Sequence, residues 1–169
     1  NLIDCSLWPL RRDYVPGNNT GELNILFMPG YQADVKGFND LLPVFSGLAA
    51  VYNIRLIIVG LHHKLNGEYL ALQSSGKIEL IPEVYGESKY ELFMKSDIYV
   101  LPSHMEGFPN TLLEAMASGL PILTTNIPSI RAIVTERENA LLIEPGNREQ
   151  LKNSLTELIN TPELRNEME

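Results

Sequence analysis

Two glutamates in the second half of the chain have the types and spacing that suit chemistry on a polar ligand. Glu106 and Glu114 stand eight residues apart, and Gly107 lacks the Cβ that would keep a ligand from the backbone. Pro109 and Asn110, between the glutamates, signal the start of a helix. Free amides at a helix start suit phosphate, and carboxylates suit the hydroxyls of a sugar or a ribose. The stretch therefore indicates a site for a phosphorylated ligand that carries hydroxyls.

The predicted helix that begins at Asn110 is apolar around most of its circumference. Helical spacing puts the polar exceptions, Thr111, Glu114 and Ser118, on the same side as Asn110. A carboxylate there needs water or a hydrogen-bond donor, because burying it unpaired is costly. An ordinary solvated stripe beside a loop carboxylate explains the same pattern, so at this point both interpretations stay open.

Six short apolar stretches alternate with helical ones and must position these residues. The predicted strands cover residues 23–28, 54–60, 78–81, 98–101, 122–125 and 141–143. The predicted helices cover residues 38–51, 68–73, 88–95, 110–118, 129–134, 148–159 and 162–168. This alternation predicts an α/β fold, a Rossmann-like doubly wound parallel sheet of about six strands with helices on both faces. Ligands of such sheets bind at the carboxyl ends of the strands, here the loops at 30–37, 60–64, 82–86 and 103–110.

The residues around the two glutamates resemble a known family. EGFPNTLLEAMASGLP at 106–121, preceded by SDIYVLPS at 96–103, is similar to the glutamate, seven residues, glutamate signature of retaining glycosyltransferases of family 4, which have the GT-B fold. Asn1 to Asp4, followed by Trp8-Pro9, resembles the segment between the two domains of that family. The resemblance implies that residues 1–22 are an interdomain linker, that 23–169 are the nucleotide-sugar donor-binding domain, one half of a GT-B fold, and that the N-terminal acceptor domain is absent from the chain.

The same resemblance implies a role for each residue of the site. Glu106 would lie beside the transferred sugar and Lys36 would offset the charge of the diphosphate, so these two are the expected catalytic residues. The amides near Thr111 and Leu112 would hold the diphosphate, and Glu114 would accept hydrogen bonds from the ribose. The other implied donor contacts are Gly30, Tyr31, Glu83, Val84, Gly107, Phe108 and Asn110.

Tyr31 departs from the family pattern, in which an arginine follows the glycine at the end of the first strand. A tyrosine can donate one hydrogen bond but brings no charge, whereas Lys36 and Gly37 match the family's second cationic pair. The departure indicates weaker binding of a diphosphate or loss of activity. The alternative function is therefore a degenerate, non-catalytic sugar-nucleotide-binding or regulatory α/β module.

The implied reaction moves a hexosyl group from a nucleotide diphosphate sugar to an acceptor hydroxyl with retention at the anomeric carbon, and needs no cofactor or bound metal. Family frequency favours a UDP-sugar, and a glycan or lipid acceptor would meet the absent domain, as in polysaccharide biosynthesis. We expect the isolated chain to be nearly inactive, because positioning two substrates needs both halves.

Composition limits the other classes of function. The 169 residues carry a net charge of −8, which disfavours a broad nucleic-acid-binding surface. One cysteine, Cys5, excludes an intrachain disulfide, and no apolar run reaches the roughly 18 residues of a membrane span. The expected location is the cytoplasm or, for the parent protein, a peripheral position at the inner face of the membrane.

Two further site types find little support in the sequence. A pair of carboxylates also suits a glycoside hydrolase, but two acids alone specify no reaction. His62, His63 and His104 have no cysteines or paired acids at metal-ligand spacing, so they are expected to be loop histidines. His62 and His63 are adjacent in a loop and are expected to point apart.

Overall fold

Six parallel strands form the sheet around which residues 21–168, those that the computed structural model describes, are arranged. The predicted linker through residue 20, with its hinge-like sequence and Cys5, lies outside the described residues. The strands are β1 (Leu23–Phe27), β2 (Ile54–Val59), β3 (Ile78–Ile81), β4 (Ile98–Leu101), β5 (Ile122–Thr125) and β6 (Ala140–Ile143). Each was predicted to within one residue at either end.

The strands lie in the order β3-β2-β1-β4-β5-β6, all parallel. They form where they do because short runs of Ile, Leu and Val suit strands that are covered on both faces. The order reverses between β1 and β4, so the chain leaves these two neighbouring strands toward opposite faces. The reversal leaves a crevice at their carboxyl ends, and the expected α/β fold is confirmed.

Seven helices cover the sheet within the described residues: α1 (Phe38–Ala49), α2 (Glu68–Ser74), α3 (Glu87–Met94), α4 (Asn110–Ala117), α5 (Pro128–Arg131), α6 (Arg148–Asn160) and α7 (Pro162–Glu167). A 3₁₀ turn at Gly30–Gln32 follows β1. The helix α5 is shorter than predicted, because the chain must turn before β6, and Arg137 takes a left-handed conformation (φ 63°) in that turn. Within the described residues no helix combines the length and the apolarity that a bilayer crossing requires.

The sheet separates two apolar layers. On one face α1, α2, α6 and α7 pack against side chains such as Ile25 and Phe27, and on the other α3, α4 and α5 pack against Leu26 and its neighbours. The helix α4 is less buried than its composition predicts, since only Leu112 and Ala115 are fully enclosed. Its remaining apolar side chains are half-buried, because α4 lies in an outer layer and touches the sheet along one side.

Candidate functional site

A cavity of about 250 Å³ lies at the carboxyl edge of the sheet, where β1 and β4 diverge. All four loops that were predicted to meet at this edge contribute to its wall, together with the first turns of α3 and α4. The lining residues are Met28, Pro29, Gly30, Lys36, Val59, Gly60, Glu83, Val84, Tyr85, Lys89, Phe108, Pro109, Asn110 and Thr111.

Lys36 and Glu106 form an ion pair at one side of this cavity. The Lys36 ammonium nitrogen lies 2.5 Å from Oε2 of Glu106, and the hydroxyl of Ser103 donates to Oε1 at 2.6 Å. The Glu106 side chain is only 1% exposed, and these two donors supply the hydrogen bonds that a buried carboxylate needs. Lys36, not Glu106, is the member of the pair that reaches the cavity wall.

Gly37 explains how Lys36 reaches that position. Its φ of 84° is left-handed, and a Cβ there would overlap the backbone carbonyl of Pro102 at the end of β4. The β1–α1 loop can therefore lie directly on the β4 loop. A hydrogen bond of 2.8 Å from the His104 amide to the Val35 carbonyl joins the same two loops. These contacts bring the Lys36 and Glu106 side chains together from distant parts of the sequence.

Lys89 and Glu114 form a second ion pair, between α3 and α4. The Lys89 ammonium donates to Oε1 of Glu114 at 2.7 Å and lies 2.5 Å from Oε2, and both side chains are largely buried. Here too the lysine lines the cavity and the carboxylate lies behind it. Sequence reasoning missed Lys89, since a lysine in the first turn of a helix is ordinarily a solvated residue and no motif marks it.

The first turn of α4 offers hydrogen-bond donors to the cavity. The amides of Leu112 and Leu113 donate to the Pro109 carbonyl at 3.0 and 3.2 Å, while among the described residues no carbonyl accepts from the amide of Thr111. No acidic residue lies in this turn to compete with an anion for the helix-start amides. Thr111 is therefore better placed than Leu112 to donate its amide to a phosphate.

The buried Tyr99 orients the hydroxyl of Thr111 from the core side of the cavity. The Tyr99 hydroxyl donates to Oγ1 of Thr111 at 2.7 Å inside the apolar layer, and burial raises the pKa of Tyr99 well above its ordinary value. Tyr99 thus remains a donor, and Thr111 keeps its own hydroxyl proton for another acceptor. A ligand oxygen in the cavity is one such acceptor.

Tyr31 is not among the residues that line the cavity. The residue is 76% exposed, and its ring stacks on that of His62, with centroids 3.8 Å apart and planes 9° apart. His63 instead packs edge-on against Phe38, so the two adjacent histidines point apart as expected. Within residues 21–168 no three His, Cys, Asp or Glu side chains are grouped so that they could hold a metal ion.

Tyr85 is a second residue of the cavity that sequence reasoning did not select. It follows Glu83 and Val84, two of the predicted donor contacts, and is a largely exposed residue of the cavity lining. A hydrogen bond to the Glu83 carboxylate raises the pKa of the Tyr85 hydroxyl above its ordinary value. The signal that the sequence offered for Tyr85 was its position directly after Glu83 and Val84.

The twelve predicted site residues fall into three groups. Seven line the cavity, and these are Gly30, Lys36, Glu83, Val84, Phe108, Asn110 and Thr111. Two, Glu106 and Glu114, lie behind the lysines that line it. The remaining three, Tyr31, Gly107 and Leu112, are not part of the wall. Which of these residues contact a ligand stays a prediction.

The sequence matches the family model described as "Glycosyl transferases group 1" over residues 13–169. An uncharacterized glycosyltransferase of Haemophilus influenzae is 35% identical over 157 residues, which are 89% of this chain and 44% of the relative. A 2-deoxystreptamine N-acetyl-D-glucosaminyltransferase of Niallia circulans is 40% identical over 149 residues, 86% of this chain and 37% of the relative. The chain thus spans less than half the length of these two relatives.

A solved structure shares the fold over almost its full length. The C-terminal domain of a glycosyl transferase group 1 family protein from Francisella tularensis superposes with a TM-score of 0.77. The match covers 98% of this chain and 92% of that one at 21% sequence identity. At this identity the similarity shows a common fold and no more.

Proposed function

This chain belongs to the glycosyl transferases group 1 family, and from that premise we propose that it is the donor-binding half of a retaining glycosyltransferase. In the proposed reaction a hexosyl group passes from a nucleotide diphosphate sugar to an acceptor hydroxyl. The observation that carries the proposal is the cavity between β1 and β4, whose wall holds Lys36 and the first turn of α4. A cation and helix-start amides in one cavity suit a diphosphate.

The proposed chemistry is mainly electrostatic. As the bond from the sugar to the diphosphate breaks, negative charge grows on the leaving phosphate oxygen and positive charge grows on the sugar ring. The Lys36 ammonium and the amide and hydroxyl of Thr111 would offset the charge of the leaving group. Groups that are already oriented before the reaction stabilise such a transition state with little reorganisation. The contact with Glu106 supplies that orientation for Lys36.

Glu106 and Gly107 are proposed to form the sugar end of the site. Oε2 of Glu106 lies at Lys36, so a sugar hydroxyl that donates to this carboxylate would lie beside the leaving group. The space next to Gly107 is open where a Cβ would stand, which suits close approach of a sugar to its amide. Glu114, on the next element along the cavity, is proposed to accept from the ribose.

The remainder of the reaction is proposed for the parent protein. An N-terminal domain would supply the acceptor site and the other wall of the cleft, and the acceptor would be a glycan or a lipid. A UDP-sugar is the favoured donor, and a hexosyl donor fits the name of the Niallia circulans relative. We place the parent in the cytoplasm or at the inner face of the membrane, and we expect the isolated chain to be nearly inactive.

A second candidate function is a non-catalytic sugar-nucleotide-binding module. The observation that favours it is Tyr31, which stacks on His62 and contributes neither charge nor wall to the cavity. A site with fewer cations would still bind a nucleotide but would stabilise a departing diphosphate less. Donor hydrolysis or transfer by the full-length parent distinguishes an enzyme from such a module.

The proposal is tested by calorimetric titration of the chain with UDP, GDP and ADP. We expect one nucleotide to bind saturably, and Lys36→Ala and Glu114→Ala each to weaken its binding about tenfold, the effect of losing a charged hydrogen bond. Lys152→Ala, an exposed change on α6, is the matched control and should bind like the wild type. Lack of binding of all three nucleotides to the folded chain and to the full-length parent would contradict the proposal.

A further inference from the structure

The two signature carboxylates share an arrangement that their sequence spacing does not show. Each is covered by a lysine that lines the cavity, Glu106 by Lys36 and Glu114 by Lys89. Lys36 belongs to a pattern that the family resemblance accounts for, whereas Lys89 does not. Lys89 comes from a different element, α3, and no role in the reaction has yet been derived for it.

The geometry at Glu114 shows what Lys89 does to this carboxylate. Oε1 accepts a hydrogen bond from the Lys89 ammonium at 2.7 Å, while Oε2 is buried and lies 2.5 Å from the same ammonium. A largely buried carboxylate without its cation would turn toward water. Lys89 therefore fixes the direction of Glu114.

A carboxylate that is held by a single cation keeps lone pairs for further donors, and this suits hydroxyl groups. The ribose of a nucleotide carries two neighbouring hydroxyls, and a carboxylate can accept from both. Lys89 lines the cavity together with Glu83, Tyr85 and Thr111, and it joins the first turn of α3, which follows the β3 loop, to Glu114 on α4. Glu114 is the residue at which the proposed function puts the ribose.

We propose that Lys89 is a positioning residue for ribose recognition. It holds Glu114 so that the carboxylate accepts hydrogen bonds from the ribose hydroxyls, and it thereby sets the preference for a ribonucleotide over a 2′-deoxyribonucleotide. The inference rests on the proposed function, because it requires a nucleotide in the cavity. It differs from a general role as a counter-charge, which would strengthen binding of both kinds of nucleotide alike.

The test compares UDP, GDP and ADP with their 2′-deoxy counterparts by calorimetry on the wild type and on Lys89→Met. For the nucleotide that binds, we expect the wild type to prefer the ribonucleotide about tenfold, as for a hydrogen bond to a charged acceptor. Lys89→Met should weaken binding of the ribonucleotide about tenfold and binding of the deoxyribonucleotide little. The ratio of the two affinities should therefore fall to near one. Lys89→Arg should restore most of the preference, because it returns a cation to Glu114.

Two controls separate positioning from a loss of structure. Lys95→Met removes an exposed lysine at the other end of α3 and should leave both affinities unchanged. Thermal unfolding reports whether Lys89→Met folds, and Lys89→Gln, which keeps an amide donor, is the second variant if it does not. In the Glu114→Gln background, Lys89→Met should cause no further change in the ratio, because Lys89 acts through Glu114.

Three outcomes would overturn the inference while leaving nucleotide binding intact. They are a wild type without preference for the ribonucleotide, a Lys89→Met variant with an unchanged ratio, and an equal loss for both nucleotides. The last would assign Lys89 to the phosphates as a counter-charge. Failure of the proposed function has a different signature, since no nucleotide would then bind the wild-type chain or its parent, and the inference would fall with it.

Discussion

The Tyr99 hydroxyl illustrates how a single buried group can prepare a residue of the cavity. It donates to Thr111 from within the layer formed by α3, α4 and the sheet, and burial raises its pKa. Because the phenol stays neutral, it keeps the proton with which it donates to Thr111. The result is a cavity-lining hydroxyl that is held in place from the core.

Tyr99 should also make stability depend on pH in the alkaline range. Above its ordinary pKa of about 10, the unfolded chain loses the Tyr99 proton while the folded chain keeps it. The free energy of unfolding therefore falls as pH rises through the interval between the unfolded and the folded pKa, by up to about 1.4 kcal/mol per pH unit. In Tyr99→Phe this contribution to the pH dependence of the free energy of unfolding should be absent.

Urea unfolding of both proteins at about pH 7, 9 and 11 measures the effect. Near neutral pH the variant should be less stable by about 1 kcal/mol, since Thr111 loses its donor. The difference should shrink or reverse at the highest pH. A constant difference across the range would mean that Tyr99 ionises in the folded protein as it does in the unfolded chain.

At the scale of elements, α1 depends on α6 for a hydrogen bond that its own sequence removes. Pro43 lies inside α1 and has no amide proton, so the Asn39 carbonyl lacks its usual helical donor. Arg148, in the first turn of α6, donates to that carbonyl at 2.8 Å and to Asp40 at 2.9 Å. His104 reaches the other oxygen of Asp40, so the same contact supports the loop that carries Glu106.

We expect Arg148→Met to lower the free energy of unfolding by about 2 kcal/mol, because the Asn39 carbonyl and Asp40 both lose a donor. In a Pro43→Ala background the cost should be about 1 kcal/mol smaller, since the new amide at position 43 can bond to Asn39. Chemical denaturation of the wild type, the two single variants and the double variant gives the coupling energy between positions 43 and 148.

Arg137→Met is the matched control for this cycle. Arg137 is about as exposed as Arg148 but forms its ion pair with Glu157 at the surface, so its replacement should cost at most about 1 kcal/mol. Additive effects of Arg148→Met and Pro43→Ala would contradict the assignment of Arg148 as the substitute donor.

For the molecule as a whole, one sheet holds two apolar layers together and leaves its carboxyl edge for the cavity. Ile25 faces the layer under α1 and α6, and Ile122 faces the layer under α4 and α5. Because both layers share the same strands, neither can lose its packing without exposing the sheet. We infer that the described residues unfold as one cooperative unit.

Ile25→Val and Ile122→Val test this inference with small changes. Each should cost about 1 kcal/mol, and the costs should add within about 0.5 kcal/mol because the side chains lie on opposite faces and do not touch. Calorimetry and far-ultraviolet circular dichroism should each show a single transition at the same midpoint. Two transitions, with one substitution shifting only one of them, would show that the layers unfold separately.

The strands, the helices and the edge that carries the site were all predictable from the sequence. Apolar runs and helical spacing are local properties, and Pro109 to Asn110 marks the start of α4 within the sequence itself. A parallel sheet then brings the loops after β1, β2, β3 and β4 to one edge by topology. The degree of burial of α4 was not predictable, because composition does not say how many neighbours surround a helix.

The partners of the charged residues were decided only by the tertiary structure. Lys36 and Glu106 are 70 residues apart in sequence and Lys89 and Glu114 are 25 apart, so no periodicity links them. Tyr31, whose position in the sequence suggested a donor contact, turns to His62. Ion pairs and ring stacks depend on distances of a few ångströms between separate elements, and those distances are fixed by packing across the whole fold rather than by the pattern of any one segment.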